Sequence, residues 1–100
     1  MADNELDALQ AELDRVLEHR IADLLSYVKA AKELVRGIST ADGELRRLAS
    51  QRDGLDDRAR RGDREARARL DAVDRSVDRI AEGREKLLGD LNAVLAHLGQ

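Results

Sequence analysis

Two histidines, His19 and His97, are the side chains in this 100-residue chain whose ordinary pKa would suit acid–base or metal chemistry near neutral pH. Neither stands in a Glu-x-x-His or His-x-x-x-His pattern, the spacings that place two ligands on one helix face. The chain has no cysteine, so disulfides, thiolate metal sites and thiol nucleophiles are excluded. The seven glycines are dispersed and form no phosphate-cradling loop, and no Ser or Thr has a base at a motif spacing. These absences predict a protein that is not an enzyme, with no catalytic residues, no metal site and no cofactor.

Arginine offers the other chemistry. Residues 46–69 hold nine Arg against five acidic residues, a local balance of +4 on a chain of net charge −3. Arg58, Arg60, Arg61, Arg64 and Arg67 could contact the phosphates of nucleic acid or another acidic surface without sequence specificity. Nucleic-acid modules usually add higher net charge or stacking aromatics, whereas here Tyr27 is the only aromatic residue. Asp53, Asp56, Asp57, Asp63 and Glu65 interleave with the arginines, as on a solvated, ion-paired surface. Within this stretch the tripeptide Arg61-Gly62-Asp63 supplies a helix-stop glycine followed by a helix-start aspartate, which accounts for it without an adhesion receptor. The favoured reading is a charged joint; the alternative is an electrostatic binder of nucleic acid or an acidic surface.

The elements that hold these residues are helical. Charged residues make up 39% of the chain and proline is absent, the composition of long helices and coiled coils. In a first arm, about 5–37, Leu17, Ile21, Leu24, Val28, Ala31, Val35 and Ile38 step by fours and threes, a heptad stripe. Leu6, Leu9 and Leu13 continue it upstream with one extra step of four, a stutter. A second arm, about 64–98, repeats the stripe through Ala66, Leu70, Val73, Val77, Ile80, Arg84, Leu87, Leu91, Val94 and Leu98. Leu25, Leu34, Leu88 and Leu95 flank and widen the two seams.

Gly37 predicts the end of the first arm, Asp63 caps the second, and residues 39–62 make a joint with a short helix near 44–53. The fold class is therefore all-α, in one domain over 1–100. It is an antiparallel hairpin of two long helices with a short middle helix, packed like a coiled coil as a three-helix or dimeric four-helix bundle. A single continuous rod is the competing architecture, because both arms keep one heptad frame. A rod, however, would put Asp42, Arg52, Asp56 and Asp63 in the seam.

Two helices bury only one face of each other, so surplus apolar surface predicts another protein chain, either a second copy or a helical partner. The expected partner-binding seam is Ile21, Leu24, Val28, Val35, Val73, Val77, Ile80, Arg84, Leu87, Leu91 and Val94. Arg84 is its specificity element, since a charge in a seam fixes register. The expected role is a helix-pairing structural or adaptor protein, or a chaperone for a helical partner. No apolar run reaches membrane-span length and the N-terminus is acidic, which predicts a cytoplasmic protein that does not bind membranes, with export by a signal-independent route as a variant. In length and two-arm architecture the chain resembles the secreted helical hairpins of type VII systems, which form dimers; the Trp-x-Gly turn of that family is missing.

Overall fold

The computed structural model describes residues 2–99. They form two helices, α1 over Ala2–Arg60 and α2 over Arg64–Leu98, folded back on each other. The molecule is a rod of 91 × 16 × 15 Å. Its length is that of α1 alone, since 59 residues at the helical rise span about 88 Å.

The expected joint over 39–62, with its short middle helix, is instead part of α1, which passes through Gly37, Gly43 and Gly54 without ending. Each glycine weakens the helix by about 1 kcal/mol relative to alanine. Around them Ile38, Leu45, Leu48 and Leu55 turn toward α2, and packing of one apolar face outweighs the propensity loss. Gly37 has its own packing reason. A Cβ there would lie 3.1 Å from Cδ1 of Leu87, so its bareness lets α2 come close.

The chain reverses in three residues, Arg61 to Asp63. Gly62 takes φ 94°, its N–H bonds to the Ala59 carbonyl, and the Asp63 N–H bonds to the Arg58 carbonyl. This pair of bonds is the Schellman ending of a helix, which requires a left-handed residue and so favours glycine. Asp63 then starts α2. Its Oδ1 accepts the Ala66 N–H at 3.1 Å, and its Oδ2 accepts from Arg58 Nη2 at 2.8 Å. One carboxylate thus caps α2 and ties it to the last turn of α1. The Ala66 N–H, followed by Arg58, holds the Asp63 carboxyl below the usual carboxylate range.

The register follows from the turn. Arg52 faces Asp74, Asp42 faces Arg84, Gly37 faces Leu87, and the Tyr27 and His97 rings meet at 4.3 Å. The second arm therefore lies against residues 27–59, not against a first arm confined to 5–37. The core sits near the turn, where Leu48, Leu55, Ala59, Ala66 and Val73 are buried and Leu70, Val77 and Ile80 pack on them. The small Ala59 and Ala66 set the close spacing there.

Two predictions come from this backbone. Gly43→Ala and Gly54→Ala, with nothing within 4 Å of the added Cβ, raise stability by about 0.5–1 kcal/mol each in a urea melt. Gly62→Ala lowers it by about 1–2 kcal/mol, the left-handed penalty. A destabilising Gly43→Ala would contradict the helical path through that residue. The second concerns pH. Because the Asp63 pKa is depressed on folding, its ionised form adds stability above the unfolded value of about 3.9, and that stability is lost as pH falls through the folded value. Asn keeps an acceptor at the cap but not the charge. The Tm gap between the wild-type chain and Asp63→Asn should close as pH drops below about 4; a gap constant with pH would show that the charge does not matter.

Candidate interaction surface

Residues of α1 that face α2 step alternately by four and three: Tyr27, Ala31, Leu34, Ile38, Ala41, Leu45, Leu48, Arg52, Leu55 and Ala59. Extended back from Tyr27, the same frame takes in Leu24, Arg20, Leu17, Leu13, Gln10 and Leu6. Counted back at this spacing the frame passes through Gln10 and Arg20, whereas the larger apolar residues of the expected stripe, Leu9 and Ile21, sit beside it.

The frame is covered only over part of its length. Helix α2 has 35 residues against 59 in α1, and its last residues, His97 and Leu98, lie beside Tyr27 and Leu24. Upstream of Arg20 no described residue of α2 lies against the stripe. Leu13 is 68% exposed and Leu24 49%, whereas Leu48 within the hairpin is 6% exposed. Leu6, Leu9, Leu17 and Ile21 are similarly open.

The expected seam divides accordingly. Val73, Val77, Ile80, Leu87, Leu91 and Val94 all turn toward α1 within the same chain and are buried or half-buried. Ile21 and Leu24 lie on the uncovered arm. Val28 and Val35 flank the hairpin rather than face α2; Leu34, expected at the edge, and Tyr27 take the inward places. With Ala31, Leu91, Leu95 and Leu98, the two valines line a shallow apolar groove at the open end of the hairpin. Apolar surface thus continues from the arm onto the hairpin, beyond the scatter of single exposed residues normal for a protein surface.

Polar seam positions are matched across the hairpin. Arg84 Nε donates to Asp42 Oδ1 at 2.6 Å in a half-buried pair, so the expected specificity element acts within the chain. Arg52 Nε donates to Asp74 Oδ1 at 2.7 Å, and that bond, with the charge of Asp74, raises the Arg52 pKa further above its usual value. Both pairs penalise any slip of the two helices, because a shifted register would leave a charge facing apolar side chains.

The arginine-rich segment does not form one open cationic face. Arg47, Arg52, Arg58, Arg60, Arg61 and Arg69 each pair with a carboxylate. Arg64 and Arg67 form no ion pair among the described residues and line a small concavity at the hairpin tip with Gly62 and Asp63. Of the two histidines, His97 packs against Tyr27 with the rings tilted by 41°, while His19 is exposed on the arm with its Nε2 4.0 Å from Asp23. Among the described residues no group of three or more His, Cys, Asp or Glu could hold a metal ion, and no helix is long and apolar enough to cross a membrane.

What this geometry offers is a stiff helical hairpin carrying a protruding amphipathic helix, whose chemistry is apolar contact in a fixed heptad frame. No family model, curated protein or solved structure matches the chain.

Proposed function

We propose that the chain is a non-enzymatic helix-pairing module, a structural or adaptor protein whose working part is the uncovered arm of α1. The observation that carries this is the row of exposed apolar residues Leu6, Leu9, Leu13, Leu17 and Ile21, which has no described helix opposite it. A helix in a globular protein draws most of its stability from packing an amphipathic face, and an isolated helix in water is marginal. Residues 4–26, held against nothing, would have only propensity and a continuous backbone to keep them helical. A second helix laid along the stripe removes that deficit. It also buries leucines that would otherwise face solvent, at about 25 cal/mol for each Å² of apolar surface covered.

The rest of the chain suits that role. Anchored by the buried cluster at the turn, the hairpin is a rigid handle that fixes the direction in which the arm projects. Its cross-helix ion pairs keep α2 from sliding along α1 to cover the open stripe. The groove of Val28, Val35 and Leu95 gives an incoming helix a second apolar contact where α2 stops.

The test is the variant Leu13→Asp with Leu24→Asp. Each carboxylate opposes burial by about 1–3 kcal/mol, so together they should weaken association at least about thirtyfold. Sedimentation equilibrium reads that loss, and circular dichroism should show the hairpin still folded, because neither residue touches the buried cluster. Association unchanged from wild type would remove the helix-pairing reading.

A further inference from the structure

Resting on the helix-pairing reading, we infer that what covers the arm is a basic amphipathic helix of another protein, with Lys or Arg on both sides of its apolar stripe. The arm joins an open apolar face to edges of a single charge sign. Leu6, Leu9, Leu13, Val16, Leu17 and Ile21 form the face, and all are exposed. At about 3.6 residues per turn, Glu5 and Glu12 fall along one edge of it, and Asp7, Asp14 and Glu18 along the other. Between residues 4 and 19 neither edge carries a lysine or arginine.

The cations of the arm stand elsewhere. Arg15 lies on the far side of the helix from Leu13 and pairs with Glu12 at 3.4 Å. Arg20 lies where the open face ends, lining a small pocket with Asp23, Leu24 and the last residues of α2. Glu5, Asp7, Asp14 and Glu18 form no ion pair among the described residues. Residues 1–26 together hold seven acidic residues and two arginines, a net charge of −5.

Where helices pair through a heptad seam, the residues at its edges meet across the interface and set the choice of partner. Parallel pairing brings one edge against the opposite edge of the neighbour, and antiparallel pairing brings each edge against its like. Both edges of the arm are acidic. Laid on a second copy of itself, in either direction, it would set carboxylate against carboxylate, and like charges so placed repel. A basic helix makes each of those contacts attractive while its apolar residues cover the stripe. The sign changes where the hairpin begins, since Lys32 and Arg36 rim the groove of Val28 and Val35. The basic stretch of the partner is therefore confined to the length of the arm. Exposed ion pairs are individually weak, so the edges select the partner and the leucines supply the affinity.

The test uses the full-length chain and synthetic helical peptides of about three heptads with a leucine stripe. One peptide carries lysine along both edges of its stripe, a second carries glutamate there, and a third keeps the lysines but has serine for leucine. Titration followed by anisotropy of the labelled peptide should show the lysine peptide binding at least about tenfold tighter than the glutamate peptide at low salt. The ratio should shrink as salt screens the edges. The serine peptide should not bind. A chain with Glu5→Lys, Asp7→Lys, Glu12→Lys and Asp14→Lys, its helicity checked by dichroism, should invert the preference.

Equal binding of the lysine and glutamate peptides, lost in the Leu13→Asp, Leu24→Asp variant, would overturn the inference and leave helix pairing standing. So would a chain that binds neither peptide but self-associates in a manner this variant abolishes. Lysine-peptide binding that survives in the variant, or is matched by the serine peptide, would be charge attraction alone and would remove both readings. A chain that stays monomeric and binds no peptide would remove both as well.

Discussion

The three-residue turn at Arg61 to Asp63 is the constraint from which the remaining geometry follows. Gly62 reverses the chain by adopting a conformation that other residues resist, and Asp63 restarts the helix while gripping Arg58 in the helix just ended. Once the reversal is placed there, each residue of α2 has a set partner on α1. Helix α2, with 35 residues, lies along only part of the 59-residue α1. The uncovered arm is thus a consequence of where the turn lies, not a separate element with its own fold. Moving the turn toward the N-terminus would lengthen the returning helix and erase the arm.

Burial and charge divide the work of holding that register. The buried side chains, Leu48 to Val73, gather within about four turns of the reversal, and further out the interface is half-open on both sides. A thin seam of leucines and alanines is tolerant of sliding by a heptad, since one apolar position resembles the next. Arg84 with Asp42 and Arg52 with Asp74 remove that tolerance. Exposed ion pairs contribute little net stability, and these two sit at the rim or half-buried. Their effect lies in what a shifted alignment would cost, with four charges moved against apolar neighbours.

Much of α2 was legible in the sequence. Its stripe from Ala66 to Leu98 is regular, and Asp63 with Glu65 marks its start. The path of α1 was not, for two physical reasons. Glycine is a strong stop signal only where nothing else holds the helix, and Gly37, Gly43 and Gly54 lie in a segment supported along its length by α2. Asp42 and Arg52 look disqualifying in a seam until the opposing residue is known, and the opposing residue depends on a register that no local pattern reveals. The heptad phase that Val28 and Val35 share with Leu70 and Val77 was no guide to this path, because α1 turns Tyr27, Leu34, Leu48 and Leu55 inward instead. For the interaction surface, the open leucines could be named from spacing alone, but which of two stripes stays uncovered required the end of α2 to be located.

Continuity of α1 also links the state of the arm to that of the hairpin. Nucleating a helix is its unfavourable step, and here the hairpin supplies the nucleus, because residues from Tyr27 onward are already held helical. The arm needs only to propagate from it, one backbone hydrogen bond per residue. Under the proposed helix pairing, a partner covering the stripe would hold this helix against fraying, and helicity in 4–26 would report association. The ordering cost is set by those residues alone, and pre-formed helix next to the hairpin reduces it. Covering Leu24 and Ile21, nearest the hairpin, therefore orders the least chain for each apolar side chain buried. Each step toward Leu6 orders more chain. Zipping outward from the hairpin is the path on which every buried leucine is preceded by one already held.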